Sequence, residues 1–255
     1  MTTGVPGYSE FEFDLPSALL RNLVTILDAM RPAPLHAGHV KPVPEEQGIY
    51  QLFLDDTLVY VGKTDAEAGL NKRLTRHSLK IQHRCNLDPR RVSFKAARIF
   101  VFTAVDLETD LIRHYGGTKG LAWNGSGFGS NDPGRERDTT NNKPENFDYQ
   151  YPIDIDRSVQ IHASPSDSVA DYLARLRDQL PYTLRAERAG AGRRAHADLV
   201  ATPMPPTARE LTVRQALVAA TTALPPGWQA TKLLGYVILY NETKTYPQSE
   251  VVARS

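Results

Sequence analysis

The sequence predicts an α+β protein. Three observations predict it: two β-rich segments set close together near residue 50, amphipathic stretches at the 3.6-residue period on either side of them, and two further helical stripes in the last third. The chain has 255 residues, 41% of them apolar, enough for a sizeable core without staples. Its single cysteine, Cys85, forms no intrachain disulfide and no Cys-rich zinc module. The first thirty residues carry acids where a signal peptide has basic residues, and no window approaches eighteen apolar residues. The expectation is a soluble, cytoplasmic protein with no membrane partner.

Ser17 is a candidate cap for a helix over 17–30, whose Leu20, Leu23, Val24, Leu27 and Met30 share a face, ended by the RPAP run at 31–34. Gly48 to Leu54 (GIYQLFL) and Leu58 to Lys63 (LVYVGK) are β-branched and aromatic, and read as a hairpin around Asp55, Asp56 and Thr57. A two-residue turn there sends Tyr50 and Tyr60 to opposite faces. A three-residue loop puts Tyr50, Leu52, Tyr60 and Gly62 on one face, and is the expected register. A helix over 69–83 follows, then a third strand within 92–102 and a helix over 106–115 stopped by Gly116-Gly117. From 123 to 151 the chain is rich in Gly, Asn, Asp and Pro, a long loop of the kind that is either functional or disordered. Helices are expected at about 167–180 and 212–224, capped by Ser168 and Thr212, with Thr212 and Gln215 forming a capping box. Between them 186–209 has linker composition, and 233–240 reads as a strand.

The formal net charge of +1 argues against a polyanion-coating protein, yet residues 71–98 carry nine Lys and Arg against Asp88 alone, a local balance of +8. That is what a phosphate-binding face requires. On a helical wheel Leu70, Leu74 and Ile81 form the buried stripe. Lys72, Arg76, Lys80 and Arg84 recur every four residues as a basic stripe, and Arg73 and His77 fall on the boundary, at the lip of a cleft.

In order, Gly48-Ile49-Tyr50, Tyr60-Val61-Gly62, Lys63, Arg73, His77, Glu108 and Asn124 resemble the motifs of the GIY-YIG nuclease superfamily. The run from Leu121 to Thr140 (LAWNGSGFGSNDPGRERDTT) is similar to its type II restriction endonucleases, in particular the SacII-isoschizomer group, which cuts CCGCGG. The resemblance spans about Gly48 to Leu184 and departs from the motif at YVG in place of YIG. It implies a small three-stranded antiparallel sheet flanked by helices, with 48–151 as the catalytic core and 1–47 and 152–255 as extensions. By position, Glu108 is the implied ligand of one Mg²⁺, for which Mn²⁺ can substitute. Tyr50 is the implied general base, Arg73 holds the scissile phosphate, and His77 hydrogen-bonds Tyr50 or the attacking water. Tyr60 and Lys63 complete the phosphate and water side, and Asn124 braces the site. A phenol titrates near about 10, so Tyr50 needs cationic neighbours, which Lys63, Arg73 and the metal supply.

Sequence readout is expected from the loop 125–146, where Arg135, Arg137, Asn141, Asn142 and Lys143 are of the types that pair with base edges. Lys72, Arg76, Lys80 and Arg84 are the expected phosphate contacts. Cutting both strands of a palindrome with one site per chain implies a homodimer on double-stranded DNA, with the helices at 17–30 and 167–180 as candidate interfaces, in a prokaryotic cell that also carries a cognate DNA methyltransferase. The alternatives are a nicking, repair or homing nuclease on the same module, or a non-catalytic DNA-binding protein.

Overall fold

The computed structural model describes residues 7, 8, 12, 14–64, 67–100, 107–130, 132, 134–164, 166–190, 192 and 194–255. Along the chain run α1 (Leu15–Ala29), β1 (Ala33–Pro34), α2 (Ala37–Val40), β2 (Gly48–Leu54), β3 (Thr57–Thr64), α3 (Leu70–Lys80), β4 (Val92–Arg98), α4 (Leu107–His114) and α5 (Gly117–Gly120). After a 3₁₀ turn at Gly134–Thr139 come α6 (Phe147–Gln150), β5 (Ser158–Gln160), α7 (Val169–Gln179), β6 (Thr183–Ala186) and α8 (Ala197–Ala201). The chain finishes with β7 (Glu210–Thr212), α9 (Val213–Ala223), β8 (Trp228–Lys232), β9 (Tyr236–Asn241) and β10 (Glu250–Arg254). The protein is thus mixed α+β, and the described residues form two four-stranded sheets and a two-stranded ribbon, antiparallel except where β6 pairs with β9. Among the described residues no helix is long and apolar enough to cross a membrane.

The first sheet has the order β1-β4-β2-β3 and is covered on both faces. Tyr50, Leu52 and Phe94 face α3, packing with Leu70, Leu74, Trp123, Phe128 and Phe147. Ile49 and Val61 point the other way, onto Leu23 and Leu27 of α1 and Leu107 and Leu111 of α4. Residues before Gly48 therefore belong to this lobe's sheet and core. Helix α1 starts two residues earlier than its expected cap: Asp14, not Ser17, is the N-cap, its carboxylate accepting the Ser17 N–H at 3.1 Å. The end of the strand expected to reach 102, and the start of the helix expected at 106, lie outside the described residues.

The β2–β3 hairpin corrects one expectation and keeps its consequence. The turn is two residues, Asp55-Asp56, not three, with Asp55 at φ 53. Its carboxylate holds Arg91 through Nε and Nη2 at 2.9 and 2.6 Å. Next to the turn Leu54 pairs with Thr57 and Phe53 with Leu58, but Leu52 pairs with Tyr60 and Tyr50 with Gly62. Val59 is the extra residue of a β-bulge, and the one-residue shift returns Tyr60 to the face of Tyr50. Edge strand β3 is gripped from outside: Trp123 donates its backbone N–H to the Val59 carbonyl at 2.9 Å. The Asn124 side chain pairs both the N–H and the C=O of Val61, each at 2.9 Å.

The second sheet, β10-β8-β9-β6, packs Val237 and Leu239 against α7 and α9, and turns Tyr236, Ile238 and Tyr240 to its other face. Both helices begin with capping boxes, Ser168 with Asp171 and Thr212 with Gln215. The expected strand at 233–240 is β9, and its partners β6 and β8, with β10 on the far side of β8, were not anticipated.

Candidate active site

Strand β2 supplies Tyr50, β3 supplies Tyr60 and α3 supplies Arg73 and His77. The rings of Tyr50 and Tyr60 lie 5.9 Å apart, and each lies within 5.6 Å of the His77 ring. Tyr50 Oη and His77 Nε2 are hydrogen-bonded at 2.8 Å, so of the two partners considered for His77 it takes the tyrosine. Glycine at 62 follows from this packing, because a Cβ there would sit 2.5 Å from Tyr50 Oη.

Burial sets the titration of the cluster. It pushes the Tyr50 phenol well above the ordinary value, with Tyr60 adding to the effect and Arg73 opposing it. Tyr60 is raised as well, first by burial. Arg73, one of the cationic neighbours expected to favour the phenolate, does not by itself offset the burial of Tyr50. His77 is held well below the ordinary imidazole range, by burial and then by Lys80, Arg73 and Arg76, and is neutral. Its Nδ1 is buried and has no hydrogen-bond partner.

Arg73 is half-buried beside the phenols, and among the described residues no hydrogen bond or ion pair engages its guanidinium. Glu108, in the first turn of α4, is close enough for its charge to raise both phenols. Lys63 is exposed at the end of β3. Asn124 acts on the backbone of Val61 and so braces the scaffold that carries Tyr60. No group of three or more His, Cys, Asp and Glu side chains forms a metal cluster among the described residues. The donor set at the rings is one carboxylate, which suits Mg²⁺, a cation that keeps several waters and takes phosphate oxygens.

The segment 126–130 crosses this cluster as a strap that sequence reasoning missed. Phe128 stacks on His77 at 4.7 Å and meets Tyr60 edge-on at 5.3 Å. A Cβ on Gly129 would collide with Tyr60 Oη. Lys80 Nζ donates to the carbonyls of Gly127 and Phe128 at 3.0 and 2.6 Å, and Arg76 to that of Ser130 at 2.9 Å. Burial brings the Lys80 ammonium down to about 8. The available signal was an aromatic flanked by glycines, Gly127-Phe128-Gly129, inside a polar loop.

Several expected DNA contacts are occupied elsewhere. Lys80 is a clamp on the strap, not a phosphate contact. Arg84 is 4% exposed and donates to Asp148 Oδ1 at 2.8 Å, so the basic stripe ends before it. Arg137 also engages Asp148 and lies over the Tyr236 ring at 4.9 Å. Arg135 pairs bidentately with Glu187 at 3.0 and 2.9 Å and covers Tyr240 at 4.0 Å. Asp138, between them, is buried and accepts from Arg185, Tyr236 and Tyr240. The 3₁₀ turn is thereby docked on the aromatic face of the second sheet instead of standing free. Asn142 exchanges two 2.9 Å bonds with the Gln248 side chain, while Asn141 and Lys143 remain exposed. Lys72, paired with Glu45 at 3.2 Å, and Arg76 are the exposed members of the stripe. Compared with known proteins, the chain matches no family model and no curated protein.

Proposed function

We propose that this chain is a GIY-YIG nuclease, a Mg²⁺-dependent type II restriction endonuclease acting as a homodimer on a short GC-rich palindrome of the CCGCGG kind. The observation that carries the reading is the convergence of two phenols and a neutral imidazole on a half-buried guanidinium that lacks an anionic partner among the described residues. A half-buried cation with no counter-ion among the described residues suits an external anion, and beside a hydrogen-bonded tyrosine–histidine pair the anion that this reading assigns is a scissile phosphate.

In the reaction, Arg73 binds a non-bridging oxygen of the phosphate. Tyr50 takes a proton from the attacking water and passes its own to His77 Nε2, which is kept free to accept by its neutral state. The water oxygen bonds to phosphorus as the bond to the 3′ oxygen breaks, and the departing oxygen takes a proton from solvent, leaving a 5′-phosphate and a 3′-hydroxyl. Tyr60 hydrogen-bonds at the same edge, and Lys63 adds positive charge on the phosphate side. Glu108 would hold the Mg²⁺, which when bound supplies Lewis-acid stabilisation of the phosphate oxygens.

The test is incubation of unmethylated plasmid and phage DNA with the purified protein and Mg²⁺, beside Arg73→Ala, Glu108→Ala and an EDTA control. Discrete double-strand fragments that depend on both residues and on the metal are expected, and their ends give the site. Nicked circles without fragments would replace this reading with a repair or homing nuclease. Tight DNA binding without any cleavage would replace it with a non-catalytic binder.

A further inference from the structure

We propose that Phe128, tethered by Lys80, is the positioning residue for His77, its phenyl face doing what a hydrogen-bonded partner on the second ring nitrogen ordinarily does. The proposal rests on the nuclease reading and names what holds that reaction's proton acceptor in place.

An imidazole that exchanges a proton at one nitrogen is usually aimed by a carboxylate or carbonyl on the other. In His77 that other nitrogen, Nδ1, is buried and has no hydrogen-bond partner. The 2.8 Å bond between Nε2 and Tyr50 Oη is a single point, about which the ring is still free to tilt. Packing supplies the missing constraint. Among the described residues three aromatic rings contact the imidazole, and Phe128 is the one that lies flat on it, at an interplanar angle of 16° against 41° for Tyr50 and 59° for Tyr60. Its centroid is 4.7 Å away, and His77 and Phe128 are each 1% exposed, so water does not come between them.

Phe128 comes from a loop, and two sets of bonds tie that loop to the elements bearing the reacting groups. On one side Ser126 Oγ donates to the carbonyl of Trp123 at 2.8 Å, and Trp123 in turn holds β3, the strand of Tyr60. On the other side stands α3, the helix of His77. Lys80 follows His77 by three positions and so shares its side of the helix. Its ammonium donates to the carbonyls of Gly127 and of Phe128 itself, and lies 5.3 Å from the Phe128 ring centre and 5.6 Å from that of Phe147. A partly buried ammonium is a costly way to hold a loop for packing alone. Here it fixes the phenyl in the frame of the same helix that carries the imidazole beneath it.

The experiment compares full-length wild type, Phe128→Leu, Lys80→Met, the double variant and Leu27→Ala. It measures single-turnover cleavage with Mg²⁺, duplex affinity in EDTA, and the NMR resonances of the His77 ring, assigned with His77→Gln. Leu27 is fully buried on α1 against the opposite face of the same sheet, so its truncation loosens the lobe without touching the rings. Phe128→Leu keeps an apolar side chain and loses the plane. Its cleavage is expected to slow on the order of 10²-fold, the cost of about 1 Å of misplacement, with duplex affinity unchanged. Lys80→Met keeps the stem and loses the tether, and is expected to slow cleavage by less. Because both act through one ring, the double variant is expected to be no slower than Phe128→Leu. The His77 ring protons, shielded by the phenyl, are expected to move downfield in these three variants and to stay in place in Leu27→Ala. Wild-type cleavage in either single variant overturns the proposal, as do unshifted His77 resonances in Phe128→Leu. Equal slowing in Leu27→Ala overturns it too, by pointing to general loosening, and losses that multiply in the double variant separate Lys80 from the ring and do the same. All four outcomes leave the nuclease reading standing while the wild type cuts. If the wild type cuts no duplex DNA, the nuclease reading falls and this proposal falls with it.

Discussion

Replacing Asp148 by Asn should cost this fold more stability than any other single isosteric change at a charged residue. Asp148 is 3% exposed and Arg84 is 4% exposed, and their 2.8 Å ion pair is completed by Arg137 and by the Tyr151 carbonyl, which takes a second Arg84 bond at 2.9 Å. The amide keeps the shape but leaves a buried guanidinium without a counter-charge, a loss of about 3–5 kcal/mol. In a chain of this size about 2 °C of melting temperature accompanies each kcal/mol, so a fall of roughly 6–10 °C is expected. Burial pushes the Asp148 carboxyl up, but Arg84, Lys80 and Arg137 together hold it below the usual carboxylate range in the folded state. A depressed folded pKa contributes stability above the unfolded value, near about 4, that is lost as pH falls through the folded one. The gap between wild type and Asp148→Asn should therefore be constant from neutral pH down to about 4 and shrink below it. Calorimetric melts of both proteins across that range make the measurement. A gap under about 1 kcal/mol at neutral pH would refute the reasoning, because Arg84 would then be reaching water.

Removing the Arg73 guanidinium as Arg73→Ala should slow single-turnover cleavage by roughly 10²–10³-fold while duplex affinity in EDTA changes little, since one transition-state cation is lost among many backbone contacts. His77 is buried and neutral, so folding should weaken as pH drops below the unfolded imidazole value near about 6.5, by up to about 1.4 kcal/mol per pH unit; denaturant melts of His77→Gln should lack that component. Gly129→Ala should leave the melting temperature nearly unchanged but displace Tyr60, and a shift of about 1 Å at a reacting group costs on the order of 10²-fold in rate. Equal activity of Gly129→Ala and wild type would remove the strap from the account of the site.

What was legible in the sequence is what local periodicity and capping encode. Helices α7 and α9 were found because Ser168 and Thr212 announce their starts and apolar residues repeat at one face. Tyr50, Tyr60, Arg73 and His77 were brought together by a hairpin and the next helix, all within a short stretch of chain. The partners of Arg84, Arg135 and Arg137 were not legible. Arg84 meets Asp148 across 64 positions and Arg135 meets Glu187 across 52, and nothing in a window of ten residues records such a pairing. Strand β8 was missed because Gln229 and Thr231 are fully buried yet read as polar, their side chains bonded to each other at 2.9 Å. Strand β6 is four residues long and pairs in parallel with a strand fifty residues away, so it carries no hairpin signal.

The bulge at Val59 makes the two tyrosines hostage to a pairing, not to a side chain. Were the ladder to run on from the Asp55-Asp56 turn with Val59 paired in register, Tyr60 would meet Gln51 instead of Leu52, and every residue of β3 from Val59 onward would change layers. Tyr60 would be delivered among the leucines of α1 and α4, and Val61 would take its place against Tyr50 and Phe128. Deleting Val59 removes the extra residue and the bulge together, so Tyr60 still meets Leu52 and keeps the face of Tyr50. The extra residue and the bulge are thus a matched pair, and a hairpin of this kind keeps its paired tyrosines only if both are retained or both are lost.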